Sequence, residues 1–348
     1  MKRAAGEGSI VMRRDGRWQA SIRIGGVRKT VYGRTRKEAA EKLEAIKIEA
    51  HMHGVIANPK GKTVADMFRA HIEANIPKWK PRTLHDWQVT VERYFAGLRD
   101  LPLAKLEPSD IQKSFSEFVL AGKHKTALRI YRTISAACKT AVKYGWLSHN
   151  PCDKVEPPRY KPERREVWNT AQLRIFLDGA RGHRMFPLWL TAICTGARIG
   201  ELLALEWSDI AADLCAIRIN KSAQRIGGKW VVGEPKTASG NRIVPVPNAV
   251  IEAIRFTKQN FPPSSRVFPY SPGHIGRELR KECQRLGLPP ITMHGLRHLH
   301  GSLLLSEGLP ITEVSERLGH ASPAITMQVY AHALRQDRAV EVMEKVLE

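Results

Sequence analysis

Acidic residues are scarce in this chain of 348 residues: 34 Asp and Glu stand against 56 Lys and Arg, a formal net charge of +22. A deficit of that size points to a polyanionic partner, and nucleic acid is the commonest one. Long apolar runs are missing too. No stretch approaches the roughly 20 residues that a membrane-spanning helix needs. The segment Met1 to Gly8 lacks the apolar region of a signal peptide. Without a lipidation motif or a polybasic amphipathic helix, a membrane surface is not the expected partner. Cysteine is sparse. Cys138, Cys152, Cys194, Cys215 and Cys283 are odd in number and scattered, with no Cys-x-x-Cys. That usage fits small apolar residues in a reducing cytoplasm. A Gly-rich phosphate loop and an Asp/Glu group with two-metal spacing are both absent, so neither ATP, Mg²⁺ nor any other cofactor is expected.

What is present reads as globular, with 43% hydrophobic residues and a length too great for a single ordinary core. Three short runs open the chain: Ile10 to Met12, Trp18 to Ile24 and Lys29 to Tyr32. Asp15-Gly16 and Gly25-Gly26 lie between them as hairpin-turn dipeptides. Thr35 then caps a helix from Arg36 to about His51, with Ala39, Leu43, Ile46 and Ala50 on one stripe. Through residue 61 there are 14 basic and 6 acidic side chains. Arg13, Arg14, Arg17, Arg23, Arg28 and Lys29 crowd the strands and turns. A solvated sheet face would account for them; a DNA-reading sheet is favoured, because a β-ribbon can enter the major groove.

Asn58 to Gly61 reads as a linker. Residues 62–160 form a helical block. Thr63 caps its first helix, Pro81 and Pro108 open two more, and Lys123 to Tyr144 makes a fourth that ends at Gly145. Lys80, Arg82 and Lys125 stand at helix entries, where phosphates are often held. The proline-rich stretch from Glu156 to Pro162 joins this block to the remainder, 161–348. There Thr170 caps a helix, Phe186 to Cys194 makes a buried one, and Thr195-Gly196-Ala197 breaks it before Arg198. Strand-like runs follow at Ala216–Ile219, Lys229–Val232 and Arg242–Val246, with Pro235 to Asn241 as the turn between the last two. A terminal helix carries Val340, Met343 and Leu347 on one side.

The chemistry concentrates near the end, in His294-Gly-Leu-Arg297-His298, Leu318-Gly-His320 and Thr326 to His332 with Tyr330 between. His294 and Arg297, three apart, share a helix face and can converge on one anion. Tyr330 is a candidate nucleophile if neighbours manage its proton. Arg, His and Tyr without an acidic cluster suggest phosphoryl transfer without a metal. Arg198, where an apolar helix stops and restarts, needs an anion to offset its desolvation. Glu201, one turn on, can serve as a local partner. Lys236 at a turn could equally be solvated.

Thr195-Gly-Ala-Arg198-Ile-Gly-Glu201, Lys236, His294-Gly-Leu-Arg297-His298, Leu318-Gly-His320 and Thr326-x-x-x-Tyr330-x-His332, in that order, resemble the tyrosine recombinase (phage-type integrase) family. The helical block looks like that family's core-binding domain. Residues 1–61 are similar to the arm-binding domains of many integrases, which recombinases that only resolve chromosome dimers usually lack. The resemblance implies a three-part fold: a small three-stranded sheet with a helix, an all-α core-binding domain, and a mainly α catalytic domain with a small antiparallel sheet. It implies that Tyr330 attacks the scissile phosphodiester to give a 3′-phosphotyrosyl link. Arg198 and Arg297 would hold the non-bridging oxygens, and Lys236 would protonate the leaving 5′ oxygen. His294 would manage the tyrosine proton, His320 would hydrogen-bond a phosphate oxygen, and Glu201 would support the arginine site. His298 and His332 are then packing neighbours. The implied partners are double-stranded DNA at core and arm-type sites, three further copies of the chain in a tetramer, and accessory bending or excision factors. The setting is a bacterial cytoplasm, at the nucleoid, where a mobile element such as a prophage is integrated and excised. Two other activities fit part of the pattern: a type IB topoisomerase, and a catalytically silent DNA-binding regulator.

Overall fold

The computed structural model describes residues 8–24, 27–53, 61–161, 167–234, 238–260 and 264–330. The Gly25-Gly26 turn, most of the Asn58–Gly61 linker, Pro162, Lys236, His332 and the terminal apolar stripe lie outside those residues. The chain divides into two compact units, with the boundary between Pro162 and Glu163.

The first unit begins with β1 (Ser9–Met12), β2 (Trp18–Ile24) and β3 (Val27–Gly33), an antiparallel sheet in the order β1-β2-β3. Asp15-Gly16 makes the first turn, with Gly16 at φ +78°, a conformation open to glycine. Thr35 Oγ1 accepts the Glu38 N–H at 3.1 Å and so caps α1 (Arg36–His53). Ala20 and Ile22 of β2 meet Ala39 and Leu43 of α1 in a small core of their own. Arg23 and Arg28 sit directly opposite across the β2–β3 ladder, both exposed. Like charges so placed repel.

A helical block follows in the same unit: α2 (Val64–Asn75), α3 (Pro81–Tyr94), α4 (Pro108–Leu120) and α5 (His124–Lys143). Thr63 and Asp66 form a capping box that starts α2. Met67, Phe68, Phe95, Ile111, Phe115, Ile130 and Ile134 fill its core. The expected helix entries place Lys80, Arg82 and Lys125 on the surface; Arg82 is paired with Asp86 at 3.0 Å.

The second unit runs α6 (Thr170–Gly179), α7 (Phe186–Thr195), α8 (Ile199–Leu202), β4 (Ile210–Ala211), β5 (Ala216–Ile219), β6 (Ser222–Ile226), β7 (Lys229–Gly233) and β8 (Arg242–Pro245). It ends with α9 (Asn248–Asn260), α10 (Pro272–Arg285), α11 (Met293–Ser306), α12 (Ile311–Leu318) and α13 (Pro323–Tyr330). Asn169, not Thr170, caps α6, in a box with Gln172. The sheets also differ from expectation. β7 pairs with β6, and β8 pairs with β5 in a sheet of order β4-β5-β8. The stretch between β7 and β8 therefore joins two sheets and is not a hairpin turn. The hairpin turn is Gly227-Gly228, with φ +55° and +81°. β6 escaped the sequence pattern because only Ala223 of its five residues is buried.

Candidate active site

The break after α7 builds the first corner. Gly196 takes φ +62°, and a Cβ there would lie 2.6 Å from His300 Cδ2 and 2.7 Å from Leu318 Cδ2. Only glycine lets the end of α7 pack this closely on α11 and α12. The turn that follows makes Arg198 the N-cap of α8. Glu201, 2% exposed, accepts the Arg198 backbone N–H at 2.9 Å and its Nη1–H at 2.7 Å. Arg198 Nη2 donates to the Gly319 carbonyl at 3.1 Å, which ties it to the residue before His320. Burial alone would lift the Glu201 carboxyl, but Arg242 and Arg198 hold it below the usual carboxylate range.

One face of α11 supplies the second corner, with His294, Arg297, His298 and Gly301 at positions i, i+3, i+4 and i+7. Arg297 is 2% exposed. Its Nη1–H donates to the Gly196 carbonyl at 2.8 Å, and its Nη2 has no hydrogen-bond partner among the described residues. Desolvation, with Arg198 close by, lowers its pKa to about 10, so it remains a cation at neutral pH. His320 follows the left-handed Gly319 that ends α12; its Nδ1 is 2.7 Å from Thr326 Oγ1. Burial and the neighbouring Arg297 and Arg198 push its pKa to about 4, which keeps the ring neutral.

Tyr330 closes the group. It is 1% exposed, and its hydroxyl donates to the Arg297 carbonyl at 3.4 Å. Its ring lies against Gly301, where a Cβ would meet Cζ at 2.5 Å. Burial raises the phenol to about 12, partly offset by Arg297. His298 presents an edge to Tyr330 with centroids 5.7 Å apart, and to His294 at 4.3 Å. The structure thus brings Arg198, Glu201, Arg297, His298, His320 and Tyr330 into one neighbourhood, with exposed His294 at its rim. Such a group can hold a small anion between two guanidiniums and an imidazole, next to a hydroxyl that must lose a proton to react.

The sequence profile of the phage integrase family matches residues 180–337, and that of the phage integrase central domain matches residues 64–157. The chain belongs to the phage integrase family of tyrosine recombinases. A tyrosine recombinase XerC-like protein of Caldanaerobacter subterraneus subsp. tengcongensis is 25% identical over 91% of each chain. The ICEBs1 integrase of Bacillus subtilis is 26% identical over 90% of this chain and 92% of its own. Among solved structures, the Tn1549 transposon integrase in complex with circular intermediate DNA superposes with a TM-score of 0.68, 23% identity, over 82% of this chain and 99% of that one. A lambda integrase tetramer bound to a Holliday junction gives 0.61 and 19%, over 97% and 98%. These two likenesses show that the fold is shared.

In this tyrosine recombinase the sequence pattern missed three polar residues. Arg242 binds Glu201 Oε2 at 3.0 Å, and Arg317 Nη2 donates to the Cys194 and Pro245 carbonyls, each at 2.9 Å. His300, 5% exposed, has Nδ1 2.7 Å from the Ile193 carbonyl and accepts from Arg317 Nε at 3.2 Å. Nδ1 therefore carries the proton, and the ring is neutral. In so basic a chain, nothing marks such arginines in advance. The doubled histidine of His298-Leu-His300 was a visible signal for the last.

Burial, reinforced by Arg317, pushes the His300 pKa to about 4 from the ordinary 6.5. Between those values the unfolded chain binds a proton that the folded chain refuses, so stability rises with pH from about 4 to 6.5 and is lost as pH falls. The loss attributable to His300 is on the order of 3 kcal/mol. Unfolding by urea at pH 7 and pH 4.5 should show it, and His300→Gln, which keeps a donor and an acceptor, should reduce the dependence to the part that His320, also held at about 4, contributes. An unchanged slope in that variant would assign the acid sensitivity elsewhere.

Proposed function

We propose that this chain is an integrase that cuts and rejoins DNA at specific sites through a 3′-phosphotyrosyl intermediate at Tyr330. The observation that carries the assignment is the buried Arg297 guanidinium: its Nη2 has no protein partner among the described residues, and its neighbours are Arg198, His320 and Tyr330. A buried guanidinium with an unused donor gains strongly from an anion, and a phosphodiester supplies one with oxygens for both arginines. Attack on phosphorus puts a second negative charge on those oxygens, so the same groups bind the transition state more tightly than the substrate. His294 takes part in handling the tyrosine proton, and His298 stands between the two rings. His320 donates to a phosphate oxygen, Glu201 steadies Arg198, and Lys236 protonates the 5′ leaving oxygen. One phosphodiester is exchanged for another, so the reaction runs without ATP.

We assign four protomers and two duplexes to the full reaction, by analogy with the lambda integrase tetramer on a Holliday junction. No described helix is long and apolar enough to cross a membrane. Incubation with a labelled suicide DNA substrate should trap a covalent adduct; none would leave a silent DNA-binding scaffold. Relaxation of supercoils without strand exchange would indicate a topoisomerase.

The N-terminal sheet is the proposed second DNA reader. Arg13, Arg14 and Arg17 are exposed in its β1–β2 turn and Arg23 on β2, and the facing Arg23 and Arg28 would be relieved by phosphate between them. A chain beginning at Lys62 is expected to cleave core sites and to lose arm-type binding. Undiminished recombination of a full attachment site by that truncated chain would overturn the assignment.

A further inference from the structure

We propose that Arg242 is a positioning residue for DNA cleavage: by occupying the Glu201 carboxylate, it leaves the positive charge of Arg198 to the scissile phosphate. The proposal rests on Arg198 being a phosphate ligand, as assigned above. Arg242 opens β8, 41 residues beyond Glu201, and its side chain is only 8% exposed. Each of its nitrogens has a job. Nη2 donates to Glu201 Oε2 at 3.0 Å, Nη1 to the Gly240 carbonyl at 3.1 Å, and Nε to the Arg317 carbonyl at 2.8 Å. The fork matches a guanidinium and no other side chain.

Glu201 is the reason the charge matters. A buried carboxylate facing Arg198 alone would form a closed neutral pair and oppose delivery of that guanidinium to an anion. With Arg242 on its second oxygen, the Arg198–Glu201–Arg242 group keeps one net positive charge. The surplus belongs to the outer member, since the Arg198 side chain is 32% exposed and that of Arg242 8%. Together with Arg297, and with Lys236 reserved for the leaving oxygen, these groups carry two net positive charges, equal to the two negative charges on the non-bridging oxygens of a pentacovalent phosphorane. Without Arg242 one would remain.

Arg242 also touches what Arg198 touches. A Cβ on Gly319 would lie 2.8 Å from Arg242 Nη1, and the Gly319 carbonyl accepts from Arg198 Nη2 at 3.1 Å. One side chain thereby sets α8 and the residue before His320 in register with the end of the segment that carries Lys236.

The test is single-turnover adduct formation by the full chain at saturating protein on a suicide substrate. Arg242→Gln should slow the adduct about 10²-fold, the scale of a displaced catalytic group, with DNA affinity close to the parent's. Adding Glu201→Gln to that variant removes the charge Arg242 offsets, and should recover about tenfold or more of the lost rate. A purely mechanical tie would gain nothing from the second change, so a double variant no faster than Arg242→Gln overturns the proposal. So does a parental rate in Arg242→Gln itself. Should Arg242→Gln fail to fold, Arg242→Lys decides: it keeps the charge and loses the fork, so a rate within about tenfold of the parent supports charge compensation. A loss of about 10²-fold in the folded Lys variant contradicts it. Absence of any adduct from the parent chain would sink the recombinase assignment itself, whatever the Arg242 variants do.

Discussion

Tyr330→Phe is expected to bind core DNA like the parent and to form no covalent adduct at all. Affinity for DNA comes from many basic contacts to phosphates, which one buried hydroxyl does not supply. Folding should also survive. The ring fills its seat against Gly301 in either residue, and the hydroxyl's single described bond, to the Arg297 carbonyl at 3.4 Å, is long. Its loss should cost about 1 kcal/mol or less. Chemistry is another matter, because phenylalanine has no oxygen to attack phosphorus. The phenol begins from an unfavourable place, buried and raised to about 12, so attack requires both a move off the main-chain carbonyl and removal of a proton. An adduct persisting in Tyr330→Phe would place the nucleophile elsewhere. Tyr270, whose hydroxyl lies 3.4 Å from the Arg184 carbonyl, would be the first candidate.

Lys236→Ala should give the next largest loss, about 10²–10⁴-fold in cleavage rate. A 5′-alkoxide is a strongly basic leaving group, so its departure depends on a proton delivered in the transition state. Replacing the bridging 5′ oxygen by sulfur gives a thiolate, which leaves unaided. Lys236→Ala should therefore cut the sulfur-bridged substrate almost as fast as the parent does. Arg198→Ala should show no such recovery, because charge on the non-bridging oxygens grows with either leaving group. Equal defects of Lys236→Ala on both substrates would reduce Lys236 to a DNA contact. Lys229, exposed on β7, would then be the first candidate for the acid, ahead of Lys221, which Glu206 holds at 2.6 Å.

How much of this was legible in the sequence depends on the range of the interaction. Most local signals held: Asp15-Gly16 made its turn, Thr35 and Thr63 capped their helices, and Gly196 broke α7 ahead of Arg198, while the α6 cap fell one residue early, on Asn169 and not Thr170. Helical spacing put His294 and Arg297 on one face. Pairing between strands was not legible, because β6 is too exposed to alternate and β7 is exposed throughout. Nor was the contact of Arg242 with Glu201, 41 residues apart, since no local pattern encodes an ion pair made by folding. Burial of Tyr330 was hidden for the same reason: it arises where α13 meets Gly301 of α11.

The most direct measurement is peptide mapping of the covalent complex trapped on a suicide substrate. After proteolysis and nuclease digestion, the modified peptide should contain Tyr330 joined to the 3′-phosphate of the cut strand, and the other end of the nick should carry a free 5′-hydroxyl. A DNA-linked peptide lacking Tyr330, or a link to a 5′-phosphate, would contradict the account.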